Sequence, residues 1–135
     1  MKVAFATENM SSVDAHFGWA SRIAIYEVDA DDSRLVEVAQ FNGQLAEDGN
    51  EDKLVPKLDA IRDCAILYVA AIGGSAAAQV IKLGVHPVKV PAGDPQTIAE
   101  ILARLREVIR HGTPPPWLRK ALLKGKARNF TDDET

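Results

Sequence analysis

"CAILYVAAIGGSAAAQVIKLG", residues 64–84, decides the fold class. Residues 64–72 carry no charge, which is the composition of a strand buried on both faces. Gly73, Gly74 and Ser75 break the run, and residues 76–84 then read as a short helix with Gly84 at its C-terminal cap. A doubly buried strand followed at once by a helix opens a parallel crossover. "HPVKV" (86–90) supplies the returning strand.

Toward the N-terminus, "KVAFATE" (2–8) is again apolar on both faces. "RIAIYEV" (22–28) and "RLVEVAQF" (34–41) are rich in β-branched and aromatic residues, and "DADDS" between them supplies turn chemistry, so an antiparallel hairpin follows. The acidic loop "NGQLAEDGNED" (42–52) is expected to be mobile, and a helix comes next with Leu54, Leu58 and Ile61 on one face. Pro56 must fall in its first turn or kink it, because an interior proline loses a hydrogen bond and clashes with the preceding turn. Toward the C-terminus, "DPQTIAEILARLREVIRHG" (94–112) is the clearest helix. Asp94 is expected to cap it, Pro95 to take the first helical position and Gly112 to end it, with Ile98, Ile101, Leu102, Leu105, Val108 and Ile109 as the apolar stripe.

The order is three strands, helix, strand, helix, strand, helix. It predicts an α/β fold with a mixed five-stranded sheet, antiparallel over the first three strands and parallel over the remainder, with flanking helices. Residues 1–112 form a single domain in this reading, and 113–135 a basic C-terminal segment with an acidic tail.

Composition narrows the function. The chain has 135 residues, 47% of them apolar, and a formal charge of -3, which fits one domain and argues against a general nucleic-acid binder. A single cysteine, Cys64, excludes an internal disulfide, a four-cysteine zinc site and a self-contained iron–sulfur cluster. No apolar run is long enough to span a bilayer, and "MKVAFATENM" lacks the pattern of a secretory signal. The expectation is a cytoplasmic protein with no membrane partner, a monomer or weak dimer.

If the first three strands run up, down and up, the loops after strands one, three and four share one edge of the sheet, where ligands of open α/β sheets bind. That edge gathers the candidates. "VDAHFGWAS" (13–21) sets His16 beside Phe17, Gly18 and Trp19. A neutral imidazole on a loop is a common iron, zinc or copper ligand, and it is equally a loop histidine bonded to backbone. "IGGSAAA" (72–78) offers free N–H groups at a helix start for an anion, or simply a tight turn that needs small residues. Cys64 reads as a core residue, and His86 and His111 as structural. "WLRKALLKGKAR" (117–128) either docks on an acidic partner or covers the core with Trp117, Leu118 and Leu122. "VAFAT" (3–7) lacks the carboxylates of a two-metal nuclease.

Taken together, "VDAHFGWA", "EDGNEDKLVPKLDAIRDCAILYVAAIGGSAA", "HPVKVP" and "PPPWLRKAL" resemble the NifX-type proteins of nitrogenase cofactor biosynthesis, from Met1 to about Leu122. The resemblance implies a ribonuclease-H-like motif. It implies a carrier, not an enzyme, that binds the iron–sulfur precursor of the iron-molybdenum cofactor transiently and shuttles it between assembly proteins during nitrogen fixation. Its implied partners are the precursor-synthesis protein and the cofactor scaffold complex. The family's His-Phe-Gly histidine maps onto His16, the expected metal ligand. Phe17 and Trp19 would shield the site, Gly18 belongs to the motif, and Gly73, Gly74 and Ser75 would meet the cluster's charge. Asp14, Glu47, Asp48, Glu51 and Asp52 would repel an anionic cluster, so the acidic loop is expected to turn outward or to contact a partner. The alternatives are a hydrolase using His16, which lacks a visible nucleophile–base pair, and a regulatory interaction module of nitrogenase assembly that binds no cluster.

Overall fold

The computed structural model describes residues 1–41, 54–90, 96–112 and 114–122. Two strands read as doubly buried lie side by side at its centre: β1 (Lys2–Ala6) pairs in parallel with β4 (Ile66–Val69). β2 (Arg22–Val28) runs antiparallel to β1, and β3 (Ser33–Gln40) antiparallel to β2. β5 (His86–Lys89) lies parallel to β4 at the other edge. The strand order β3-β2-β1-β4-β5 is the mixed sheet expected, and its directions are those of a ribonuclease-H-like motif.

Helices cover both faces, which is why the central strands carry no polar alternation. On one face, α1 (Val55–Ile61) and α2 (Gly74–Lys82) bury Leu58, Ile61, Ala76 and Val80 against Ala4, Ala6, Ile23, Leu67 and Val69. On the other, α3 (Ile98–His111) lays Ile98, Ile101, Leu102 and Leu105 over Val3, Phe5, Ile66 and Tyr68. A helical segment over residues 116–122 joins this second core through Leu118 and Ala121. Successive β4 residues feed opposite layers: Leu67 and Val69 enter one, Ile66 and Tyr68 the other.

Three boundaries differ from the sequence reading. α2 starts at Gly74, two residues before the expected 76, because the small Gly74 and Ser75 continue into its first turn. α3 is capped by Thr97 rather than Asp94, and it begins three residues beyond Pro95. Thr97 and Glu100 form a capping box, each satisfying the other's backbone N–H, and that reciprocal pair fixes the start. Gly112 ends the helix at φ 74°, a left-handed position that favours glycine. Regular pairing in β4 covers Ile66–Val69 of the 64–72 run; Ala65 extends it by bonds to Lys2 and His86, and Ala70 by one to Ala15. The acidic loop 42–52, Asp94, Pro95 and residues 123–135 lie outside the described residues.

Candidate functional site

The loop after β1 is tied down by its own side chains. Buried Thr7 donates from Oγ1 to the Ser12 carbonyl (2.6 Å) and accepts from the Met10 N–H (3.0 Å). Asn9 Oδ1 accepts from the N–H groups of Ser11 (2.8 Å) and Ser12 (2.9 Å). Asp14 Oδ1 accepts from the Glu8 N–H at 2.7 Å, and the Glu8 carboxylate accepts in turn from the backbone and hydroxyl of Ser21. Asp14 and Glu8 thus hold the loop through their charged oxygens.

The chain then runs extended beside the end of β4. Ala70 donates to the Ala15 carbonyl (3.0 Å) and Phe17 to the Ala71 carbonyl (2.8 Å), leaving His16 bridged to Ala71. Strand periodicity sends Ala15 and Phe17 into the core and His16 outward. Phe17 is fully buried and acts as the anchor of the loop, so Trp19, 66% exposed, is the ring left to screen His16. The two rings stack at 5.1 Å and 27°.

His16 is half-buried and caps the short 3₁₀ turn Phe17–Trp19. Its Nδ1 accepts from the Gly18 N–H at 3.0 Å. An Nδ1 that accepts carries no proton, so the neutral ring is protonated at Nε2. Burial first, and then the nearby Lys57 ammonium, hold the His16 pKa below its ordinary 6.5. The imidazole is therefore neutral at neutral pH, the form a metal requires. Ligation through Nδ1 displaces the Gly18 N–H, and ligation through Nε2 moves a proton onto Nδ1 and breaks the same bond. Either route costs about 1 kcal/mol, a modest charge against a coordinate bond.

Lys57 is the residue that sequence reasoning missed. It is only 5% exposed, and its Nζ donates to the carbonyls of Gly18 (2.7 Å) and Phe17 (3.2 Å), with the Phe41 ring at 5.6 Å. Burial lowers its pKa, and Glu8 partly offsets this. A fixed positive charge thus lies beneath the His16 turn and holds that turn's carbonyls inward. The signal was present: Leu54, Lys57, Leu58 and Ile61 follow the i, i+3, i+4, i+7 spacing of one buried stripe, with a lysine where an apolar residue belongs.

The glycine turn reaches the same edge, because Gly73 and Gly74 begin two residues beyond the Ala71 bridge. Gly73 is the N-cap of α2 and makes no side-chain cap, so backbone donors of the first turn point outward. A Cβ at either glycine would meet nothing within 4 Å. Ser75 lines a groove between α1 and α2 with Leu58, Gln79 and Leu83. Cys64 is buried at the opposite end of β4, seven residues before Ala71, which at strand rise is roughly 20 Å from the His16 edge. Among the described residues no group of three or more His, Cys, Asp or Glu side chains gathers as a metal cage. No described helix is long and apolar enough to cross a membrane.

Residues 1–108 match the family model described as dinitrogenase iron-molybdenum cofactor. Protein NifX of Herbaspirillum seropedicae is 53% identical over 135 residues, covering 98% of this chain and 90% of that protein. Protein NifX of Azotobacter vinelandii is 43% identical over 122 residues, covering 90% and 75%. The FeMo cofactor biosynthesis protein NifB of Bradyrhizobium diazoefficiens is 32% identical over 126 residues, covering 85% of this chain and 25% of that protein. The crystal structure of PH0822 superposes with a TM-score of 0.59 at 22% identity, covering 79% of this chain and 89% of that one, a likeness of fold alone. A whole-chain likeness to NifX proteins, carried on the fold just described, assigns the protein: it belongs to the dinitrogenase iron-molybdenum cofactor family, as a NifX-type member.

Proposed function

We propose that the protein is a carrier: it holds the iron–sulfur precursor of the iron-molybdenum cofactor at the His16 turn and passes it on without turnover. Family membership and the relative named as a FeMo cofactor biosynthesis protein support involvement in iron-molybdenum cofactor biosynthesis. The carrier reading rests on one observation. A neutral, half-buried imidazole, restrained by a single backbone N–H, stands over a buried ammonium.

Each feature suits loading and release. The cargo is ligated by sulfide and anionic, so a fixed positive charge under the turn attracts it. A single protein ligand leaves the cluster exchangeable, whereas three or four would trap it. Displaced from Nδ1, the Gly18 N–H becomes available to a cluster sulfide, and the backbone donors at the start of α2 lie at the same edge. Exposed Trp19 covers one face of the ring. The donors and acceptors belong to a cytoplasmic assembly line, the precursor-synthesis protein on one side and the cofactor scaffold complex on the other.

The test is an anaerobic loading and transfer assay with the isolated precursor. We expect iron to saturate at one cluster per chain and then to move to the scaffold complex with the cluster's absorption unchanged. Continuous conversion of precursor by a trace of the protein overturns the carrier reading, as does transfer that proceeds equally without the protein.

A further inference from the structure

On the face away from His16, a cavity of about 310 Å³ opens between β5, α3 and the 114–122 segment. Val88, Val90, Ile101, Leu105 and Leu118 give it apolar walls. Tyr68 lines it from β4, only 7% exposed, with its ring stacked on Phe5 at 5.2 Å and 9°. The Tyr68 hydroxyl has no hydrogen-bond partner among the described residues. The ring is buried while the hydroxyl is free to donate to a ligand in the cavity.

The charged groups around the cavity share one sign among the described residues. Exposed Lys89 and Arg104 line it, from β5 and α3, and neither makes an ion pair within 4 Å among the described residues. Among the described residues no carboxylate lines it; Glu100, one turn before Arg104, is engaged by Thr97 in the capping box. Burial pushes the Tyr68 phenol up to about 12, and the nearby Arg104 guanidinium opposes this only in part. The phenol is therefore a proton donor at every physiological pH, never an anion. Gln96 adds an amide to the lining.

We infer that this cavity is a second binding site, for a small carboxylic acid with an apolar body. The body fills the space between Val88 and Leu105, and the carboxylate accepts from the Tyr68 hydroxyl and meets Arg104 and Lys89 at the mouth. Charge complementarity selects a carboxylate over a neutral compound, and a volume near 300 Å³ selects a small molecule over a peptide. The site is separate from the His16 turn, because Phe17, which anchors that turn, and Tyr68 belong to opposite layers of the sheet.

The full chain, titrated with hexanoate and followed by amide shifts in two-dimensional NMR, tests this. Hexanamide removes the charge and acetate removes the body. We expect saturable shifts at Val88, Val90 and Leu105 with hexanoate, and affinities weaker by about ten-fold or more with either control. Tyr68→Phe keeps the stacking on Phe5 and removes only the hydroxyl; Arg104→Gln removes the charge from an exposed position. Each should weaken hexanoate about ten-fold with an unchanged melting temperature. Hexanamide binding as tightly as hexanoate overturns the proposal. So does hexanoate binding that both substitutions leave intact, or the lack of any saturable shift at these amides.

Discussion

At the residue scale, two side chains set the properties of the site. His16 supplies a nitrogen lone pair, and burial, with Lys57 as the second cause, keeps it available by disfavouring the imidazolium. Nitrogen-15 NMR of the unloaded protein should show the Nε2–H tautomer, with a titration midpoint below 6.5. Lys57→Met removes the positive neighbour, so the His16 midpoint should rise toward 6.5. The same substitution strips donors from the Phe17 and Gly18 carbonyls and should lower stability by about 1–3 kcal/mol in denaturant unfolding. A midpoint that does not move would show that Lys57 is a structural tie without electrostatic reach. His16 was legible from its setting, a coordinating side chain in a loop beside glycine and aromatics. Lys57 was legible only as a lysine inside an apolar stripe; that it ties the Phe17 and Gly18 carbonyls depends on the fold.

At the element scale, local chemistry explains both the successes and the misplaced boundary. β1 and β4 were legible because unbroken apolar runs have no other stable home than a doubly covered sheet. The β2–β3 turn was legible from its aspartates, and Asp29 does accept from the N–H groups of Asp31 and Asp32 at 2.8 Å each. The start of α3 was misread because "DPQTIAE" (94–100) offers two caps. The Thr-x-x-Glu pair satisfies two donors where Asp94 would satisfy one. Thr97→Ala should therefore cost about 1 kcal/mol in unfolding and leave cluster loading untouched, since the ties between the start of α3 and the loop before His16 run through backbone, from the Ile98 N–H to the Ser11 carbonyl, and survive the loss of the side chain. The 114–122 segment is pinned by Leu118 and by Trp117, whose ring stacks on His86 at 4.6 Å and 16°. Burial holds His86 below its ordinary 6.5. The folded chain then binds fewer protons than the unfolded one between the two pKa values, so this histidine makes stability fall as pH drops through the window beneath 6.5. Trp117→Ala uncovers the ring, and the His86 midpoint should climb toward 6.5 by NMR titration.

At the scale of the whole molecule, topology does what no single motif could. The up-down-up order of the first strands, with β4 returning parallel to β1, brings the His16 loop and the glycine turn to one edge although they are far apart in sequence. The same topology sends Cys64 to the other end of the sheet, so one chain cannot use its thiol and His16 on the same cluster. Cys64→Ser should leave loading unchanged. The grouping at one edge was legible because strand order and direction follow from element order. The pocket around Tyr68 was not, because an unpartnered hydroxyl is a property of three-dimensional packing and leaves no mark on periodicity. If His16 holds the cargo, the iron retained per chain depends on its imidazole. The protein and its His16→Ala variant are incubated anaerobically with the isolated iron–sulfur precursor, desalted, and assayed for iron per chain. Iron should be retained by the parent protein and lost from a variant that is still folded; equal retention by the two would remove His16 as the ligand.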